Sequence, residues 1–202
     1  MRYPDQYILQ LRRKKLEQKL KNGTYELFFQ GLLEIPLPED FIDMPEKLVR
    51  EKFMMRDVPA YIKTVNNGEL TMSLDILDDY ATTEEILVRI KKIIKLMCPA
   101  NVIYEEGNIG DMVGWFESKS NWEKITYYNL YFIIEKEGTK IFGNFQCLFE
   151  RYDRWKPQIM NILCHLRTGR ANYENFSEAM EDNRIITEGY KLVGVYIIDL
   201  GN

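Results

Sequence analysis

Few side chains in this sequence could carry out acid–base, nucleophilic or metal chemistry. Among 202 residues there are one histidine and three cysteines. His165 directly follows Cys164 in a predicted helix, where neighbouring residues point to different sides, so the two do not form a base and a nucleophile. Asp75, Asp78 and Asp79 crowd together, but they do not match a calcium loop, and helix capping accounts for Asp78 or Asp79. No phosphate-binding loop or hydrolase motif occurs. The sequence therefore predicts no catalytic residue, no metal site and no cofactor.

The cysteines indicate a reducing compartment, and the hydropathy indicates a protein without a membrane span or signal peptide. Cys98, Cys147 and Cys164 are odd in number and have no C-x-x-C spacing, so they do not suggest a disulfide framework. Cys147 lies in a strand pattern and Cys164 in a helix pattern, which predicts that both are buried. No stretch has the roughly 20 apolar residues that cross a bilayer. The N-terminus has no apolar run of signal-peptide length, and we expect a cytoplasmic protein.

Aromatic side chains are concentrated in residues 115–132, and they are the best candidates for binding. Because strand residues alternate between faces, about half of these rings should point away from the face that the helices cover. Two interpretations stay open. The rings are core beneath a second covering layer, formed by the N-terminal helix or the C-terminal tail, or they form an exposed platform for a peptide or protein. The predicted partner-binding residues are Trp115, Trp122, Tyr127 and Tyr131.

Helices are predicted from apolar periodicity and capping residues. Segment 82–97 is the clearest, because Thr82 and Glu85 form a capping box before an apolar stripe. A last helix has Asp153 as its cap and Pro157 in its first turn. The other predicted helices are a short one near 45–53 and a basic one over 5–21 that ends at Asn22-Gly23.

The remaining pattern is that of antiparallel strands. Asn66-Asn67-Gly68 supplies the positive φ values of a tight turn, which predicts a hairpin of strands 60–65 and 69–77. Residues 102–150 form further strands. The last two alternate with period two over 125–134 and 140–149, and a turn at 136–139 joins them. A strand pattern within 24–38 ends at Pro36 and Pro38. The fold class is α+β, an antiparallel β-sheet covered by helices.

Charge separates the N-terminus from the rest of the chain. Residues 1–22 have seven basic and two acidic residues, a net +5, whereas residues 23–202 have 20 basic and 29 acidic residues, a net −9. The basic helix packs back on the acidic body, or it binds an anionic surface or partner. The acidic body argues against a nucleic-acid partner. We predict a basic helix in 1–23, an α/β domain in 24–167 and a C-terminal extension in 168–202.

The C-terminal extension ends in a strand pattern over 190–199, after a bend at Glu188-Gly189. A strand so far from the rest of the sheet needs an edge to pair with. It adds to the sheet of its own chain or to that of a second copy, and in the second case the protein is a homodimer.

Two proline-containing segments, Ile35-Pro36-Leu37-Pro38 with Phe41 and Met55-Arg56-Asp57-Val58-Pro59, precede the Asn67-Gly68 hairpin. The 82–97 helix, the aromatic strand pair 125–150 and the Trp155-to-Leu166 helix follow. In this order, over about residues 27–167, the chain resembles the PsbP-like superfamily, which includes Ran-binding nuclear-transport factors and small bacterial relatives. The resemblance implies a PsbP-like α/β/α sandwich and a binding or assembly-assisting role without catalytic residues. Some bacterial relatives are chaperones for secreted effectors, and no functional motif of the family occurs here.

These observations favour a non-enzymatic protein-interaction module, a chaperone or an adaptor, that binds another protein or peptide through an aromatic sheet face. If Tyr127 and Tyr131 form that face, replacing both by alanine should abolish partner capture at a nearly unchanged melting temperature. A large loss of stability would show instead that they are core. The alternative is a small enzyme, which a deep pocket with convergent carboxylates or tyrosines would indicate.

Overall fold

The computed structural model describes residues 25–53, 58–122 and 124–169. Three segments named from the sequence lie outside these residues. They are the predicted N-terminal helix, residues 55–57 of the second proline-containing segment, and the predicted strand 190–199. The described strands are β1 (Tyr25–Phe28), β2 (Leu33–Pro36), β3 (Ile42–Asp43), β4 (Tyr61–Val65), β5 (Leu70–Leu77), β6 (Val102–Ile109), β7 (Val113–Trp122), β8 (Ile125–Lys136), β9 (Thr139–Leu148) and β10 (Arg167–Thr168). The described helices are α1 (Glu46–Lys52), α2 (Thr83–Met97) and α3 (Tyr152–Cys164).

The chain divides into two compact units, and the boundary between them falls inside α3. The smaller unit contains described residues 25–41 and 157–169, with β2 between β1 and β10 in an antiparallel sheet. The sequence predicts one strand here, whereas the structure has a hairpin. The reason is local, because Phe29, Gln30 and Gly31 all have positive φ and reverse the chain in a 3₁₀ turn. Beside this hairpin, the Arg167 guanidinium lies 4.0 Å from the centre of the Tyr25 ring.

The larger unit, described residues 42–156, contains a seven-stranded antiparallel sheet in the order β3-β4-β5-β9-β8-β7-β6. With the helices, this sheet confirms the predicted α+β class. The turn between β4 and β5 has positive φ at Asn66, Asn67 and Gly68, which confirms the predicted hairpin. Glu137 and Gly138 also have positive φ and form the predicted turn between β8 and β9.

Helix α2 begins as the sequence predicts. The Thr82 side chain accepts a hydrogen bond from the Glu85 N–H, and the Glu85 carboxylate accepts one from the Thr82 N–H. Burying each apolar side chain of such a helix is worth about 1.5–3 kcal/mol. Its buried residues pack on one face of the sheet in a cluster of Ile86, Leu87, Ile90, Ile94, Phe116, Tyr131, Ile133 and Phe142.

Helix α3 differs from prediction at its start. A 3₁₀ turn, Phe149–Arg151, runs directly into the helix at Tyr152, so Asp153 is its second residue and not its cap. Pro157 consequently lies in the helix interior. The sequence predicts five residues on its inner face, Trp155, Ile159, Ile162, Leu163 and Leu166. The first four are buried, whereas Leu166 lies beyond the end of the helix and is partly exposed. Of the cysteines, Cys147 is buried as predicted, but the prediction for Cys164 is wrong, because the end of α3 leaves it exposed.

Helix α1 packs its apolar side in a small cluster with Met44, Phe53 and Ile62 and also buries a lysine. The Lys52 ammonium donates to the Gly68 carbonyl at 2.9 Å, and burial lowers the pKa of Lys52 from 10.5 to about 8. The unfolded chain therefore binds more protons than the folded chain between these pH values. Folding stability must rise with pH across this window on account of Lys52.

We expect the stability of the wild-type protein, relative to Lys52→Met, to increase between pH 8 and pH 10.5, the window that the lowered pKa of Lys52 defines. Urea unfolding of both proteins at several pH values measures this difference. Other titrating groups contribute equally to both proteins and cancel. Parallel stability curves for the two proteins across the window would contradict the assignment.

Candidate partner-binding site

Three of the four predicted binding residues lie around one small cavity, at the C-terminal end of α2. Trp122, Tyr127 and Tyr131 all line it, and its volume is about 40 Å³. Trp115 lies elsewhere, with its indole against Gly107 of the neighbouring strand. The strand register explains the grouping, because Ser120 is paired with Tyr127, and residues two apart on a strand share a face. Trp122, Tyr127 and Tyr131 therefore lie on the same face of β7 and β8.

Helix α2 covers this face of the sheet, and the two tyrosines are only 2% exposed each. Of the two interpretations that the sequence leaves open, the exposed platform therefore does not describe Tyr127 and Tyr131. Tyr131 is sandwiched between aromatic rings, 5.0 Å from Phe116 and 6.1 Å from Phe142 between ring centres. Tyr127 and Tyr131 are core residues, and α2 is the element that covers them. Partner binding by any of the four residues stays a prediction.

Two exposed apolar side chains form the mouth of the cavity, and we call them the apolar collar. Trp122, the last residue of β7, is 39% exposed, and Met97, the last residue of α2, is 46% exposed. Both also line the cavity. Large apolar side chains that are half-exposed at a pocket are typical of partner-binding surfaces, because a partner can bury them at a gain.

Polar side chains line part of the cavity, which we call its floor, and their described hydrogen bonds are made within the protein. The Asn101 amide donates to the Ile94 carbonyl at 3.0 Å, and its side-chain oxygen accepts from the Asn121 N–H at 2.9 Å. The Asn129 amide donates to Ser120 at 3.1 Å and accepts from Gln146 at 2.9 Å. Asn101 therefore connects the end of α2 to β7, and the bonds of Asn129 connect β7, β8 and β9, so the cavity is preorganised.

The tyrosine hydroxyl and the volume of this cavity limit what it can hold. Burial raises the pKa of Tyr131, against the opposing effect of hydrogen bonds with Ser118 and Ser120, so its hydroxyl stays protonated at neutral pH. A volume of about 40 Å³ holds only a few water molecules or part of one side chain. Within the described residues, no group of three or more histidine, cysteine or acidic side chains could hold a metal ion.

A second aromatic group, on the opposite face, was not found from the sequence. Tyr104 stacks on Phe149 and Phe149 on Tyr152, with ring centres 6.4 and 5.1 Å apart, and Tyr152 contacts Tyr128. The Lys119 ammonium lies 4.5 Å from the centre of the Phe149 ring. These rings come from β6, from a 3₁₀ turn and from α3, so no spacing in the sequence signals their contact.

Two carboxylates whose charges act on Tyr128, those of Glu117 and Glu105, form ion pairs with Lys156. The Lys156 ammonium donates to one carboxylate oxygen of buried Glu117 at 3.1 Å and lies 2.9 Å from the other, and it donates to Glu105 at 3.1 Å. Burial opposes the charge of Lys156, but its bonds to the two glutamates raise its pKa. Burial and the Glu117 charge raise the pKa of Tyr128. The ion pair of Glu117 with Lys156 joins β7 to α3, an arrangement that suits a structural role.

No protein-family model matches this chain, and no curated protein sequence matches it. Among solved structures, cyanobacterial PsbP (CyanoP) from Synechocystis sp. PCC 6803 is similar over 72% of this chain and 92% of its own, with a TM-score of 0.50 and 13% identity. The Ran-binding protein Mog1p of Saccharomyces cerevisiae is similar over 73% of this chain and 95% of its own, with a TM-score of 0.50 and 10% identity. The chain therefore has a PsbP/Mog1-like fold, which confirms the resemblance predicted from the order of its elements. Identities this low concern the fold alone. Within the described ranges, no helix is long and apolar enough to cross a bilayer.

Proposed function

We propose that this protein is a non-enzymatic protein-interaction module, a chaperone or an adaptor, that binds an extended segment of another protein at the apolar collar. The observation that carries the proposal is the pairing of exposed Trp122 and Met97 at the mouth of a preorganised cavity. An apolar side chain of the partner inserts there, because the described hydrogen bonds of the floor are already made within the protein.

The charged residues near the collar indicate which charge the partner segment carries beside its apolar side chain. Lys124 is exposed in the turn that follows Trp122, and exposed Lys95 bonds to the carbonyl of Asn101 in the cavity wall. Acidic residues beside the apolar anchor complement these two cations. The name of Mog1p states Ran binding for a protein of this fold, which is consistent with a protein partner. The cytoplasmic location and a homodimer through 190–199 stay predictions.

Site-specific photo-crosslinking in cells can identify the partner. A photoreactive phenylalanine analogue at position 122 should capture one protein, which position 97 also captures. Position 80 is the matched control, because Tyr80 is fully exposed and precedes the other end of α2. Capture of the same proteins from positions 122 and 80 would contradict a specific site.

Binding of the purified partner should then depend on the collar. We expect Trp122→Ala to weaken binding by about tenfold or more, because a half-exposed tryptophan at a pocket is typical of a binding hot spot. The melting temperature should change little, since Trp122 ends its strand. Tyr80→Ala should leave the affinity unchanged. Equal affinities of wild type and Trp122→Ala, measured by calorimetry, would remove the collar from the interface.

The competing function is that of an enzyme, which would need carboxylates and a tyrosine that converge in one site. The described residues that come nearest to this are Glu117, Glu105 and Tyr128, but both carboxylates form ion pairs with Lys156. This arrangement favours the binding module over the enzyme.

A further inference from the structure

The outermost strand of the large sheet, β6, is a long strand at an open edge. It pairs with β7 on one side, and no described residue pairs with it on the other. It has eight residues, whereas β3 at the opposite edge has two. An edge of this length presents N–H and C=O groups in a row that can pair with a further strand.

Both faces of β6 offer apolar contacts to such a strand. Ile103 packs against the cluster beneath α2, whereas Val102 and Tyr104 are exposed on the opposite face. A bulge between Ile103 and Glu106 interrupts the edge. Bulges and charged residues discourage indiscriminate pairing, so this edge suits one particular strand with apolar residues on both of its faces.

We propose that residues 190–199 of the same chain add to the outer edge of β6 as an eighth strand. This segment has apolar residues in both alternating rows, as the edge requires. One row is Leu192, Tyr196 and Ile198, and the other is Val193, Val195 and Ile197.

The length of the intervening chain is compatible with pairing inside one molecule. Residues 170–189 lie between the last described residue, Gly169, and the segment, and they span up to about 65 Å when extended. A tethered segment has an effective concentration of the order of millimolar. That exceeds the concentration of a second copy under ordinary conditions, so the segment of the same chain occupies the edge. This inference is independent of the proposed function.

Hydrogen–deuterium exchange on the full chain tests the proposal. We expect the amides of β6 to exchange about tenfold or more faster in Val195→Pro than in the wild type, because proline removes a ladder donor. Ser177→Pro, in the intervening chain, is the matched control and should exchange as the wild type does. Light scattering should give the mass of a monomer. Equal exchange of β6 in all three proteins would overturn the proposal.

If Val195→Pro does not fold, disulfide trapping tests whether residues 190–199 pair with β6. In a Cys164→Ser background, Val195→Cys is combined in turn with Val102→Cys, Tyr104→Cys or Asn108→Cys. At least one pair should oxidise within a single chain, since a disulfide needs its Cα atoms within about 7 Å. Val195→Cys with Tyr80→Cys is the control and should not close. Closure of no edge pair overturns the proposal, and so does a disulfide-linked dimer, which would assign the edge to a second copy.

Discussion

Replacing Lys156 by methionine is expected to destabilise the protein by about 3–5 kcal/mol at pH 7, because it leaves the buried Glu117 carboxylate without its cation. Adding Glu117→Gln should restore most of the stability at pH 7, because the double variant buries no charge at this point.

Urea unfolding at pH 7 measures these differences. Lys136→Met is the matched control, because Lys136 pairs with Glu137 at a half-exposed site, and such pairs are worth no more than about 1 kcal/mol. If the double variant is no more stable than Lys156→Met, side-chain packing, and not the charge of Glu117, accounts for the effect.

Replacing Tyr131 by alanine is expected to cost about 3–5 kcal/mol, as for other large aromatic residues in a core. The ring is 2% exposed and lies between Phe116 and Phe142. Its removal leaves a cavity beneath α2 that the surrounding rings cannot fill. Tyr131→Phe should cost only about 1 kcal/mol, because it loses the hydroxyl and keeps the ring.

The fully exposed Tyr80 supplies the comparison, since Tyr80→Ala should change stability by less than about 0.5 kcal/mol. A wild-type unfolding midpoint for Tyr131→Ala would contradict its position in the core. The expected loss also means that a Tyr131 variant cannot test partner binding, because a failure to bind would follow from unfolding. Trp122, which is exposed, is the residue that separates binding from stability.

Much of the fold could be predicted because its signals are local. The capping box of Thr82 and Glu85 is complete within four residues, and the Asn67-Gly68 turn depends on the φ values that these residues adopt easily. Period-two alternation likewise identified β8 and β9. The start of α3 was predicted less well, since the 3₁₀ turn Phe149–Arg151 that displaces it has no distinctive residue type.

The candidate site could be predicted only in part. Trp122, Tyr127 and Tyr131 were singled out because they are aromatic and close in sequence, and all three line the cavity. Met97 was predicted only as part of the apolar stripe of α2, and its exposure at the collar depends on where that helix ends on the sheet. The stack of Tyr104, Phe149 and Tyr152 requires three segments to meet, which no local pattern reports.

The sequence by itself determined the α+β class, most strands and helices of the described chain, and the scarcity of groups for catalysis. Those properties depend on residue types and on spacings of a few positions. Only the tertiary structure decided which face of β8 the helix α2 covers, and therefore that Tyr127 and Tyr131 are core while Trp122 is exposed. Alternation defines two faces of a strand without saying which one is covered, because that choice rests on contacts between residues far apart in the chain.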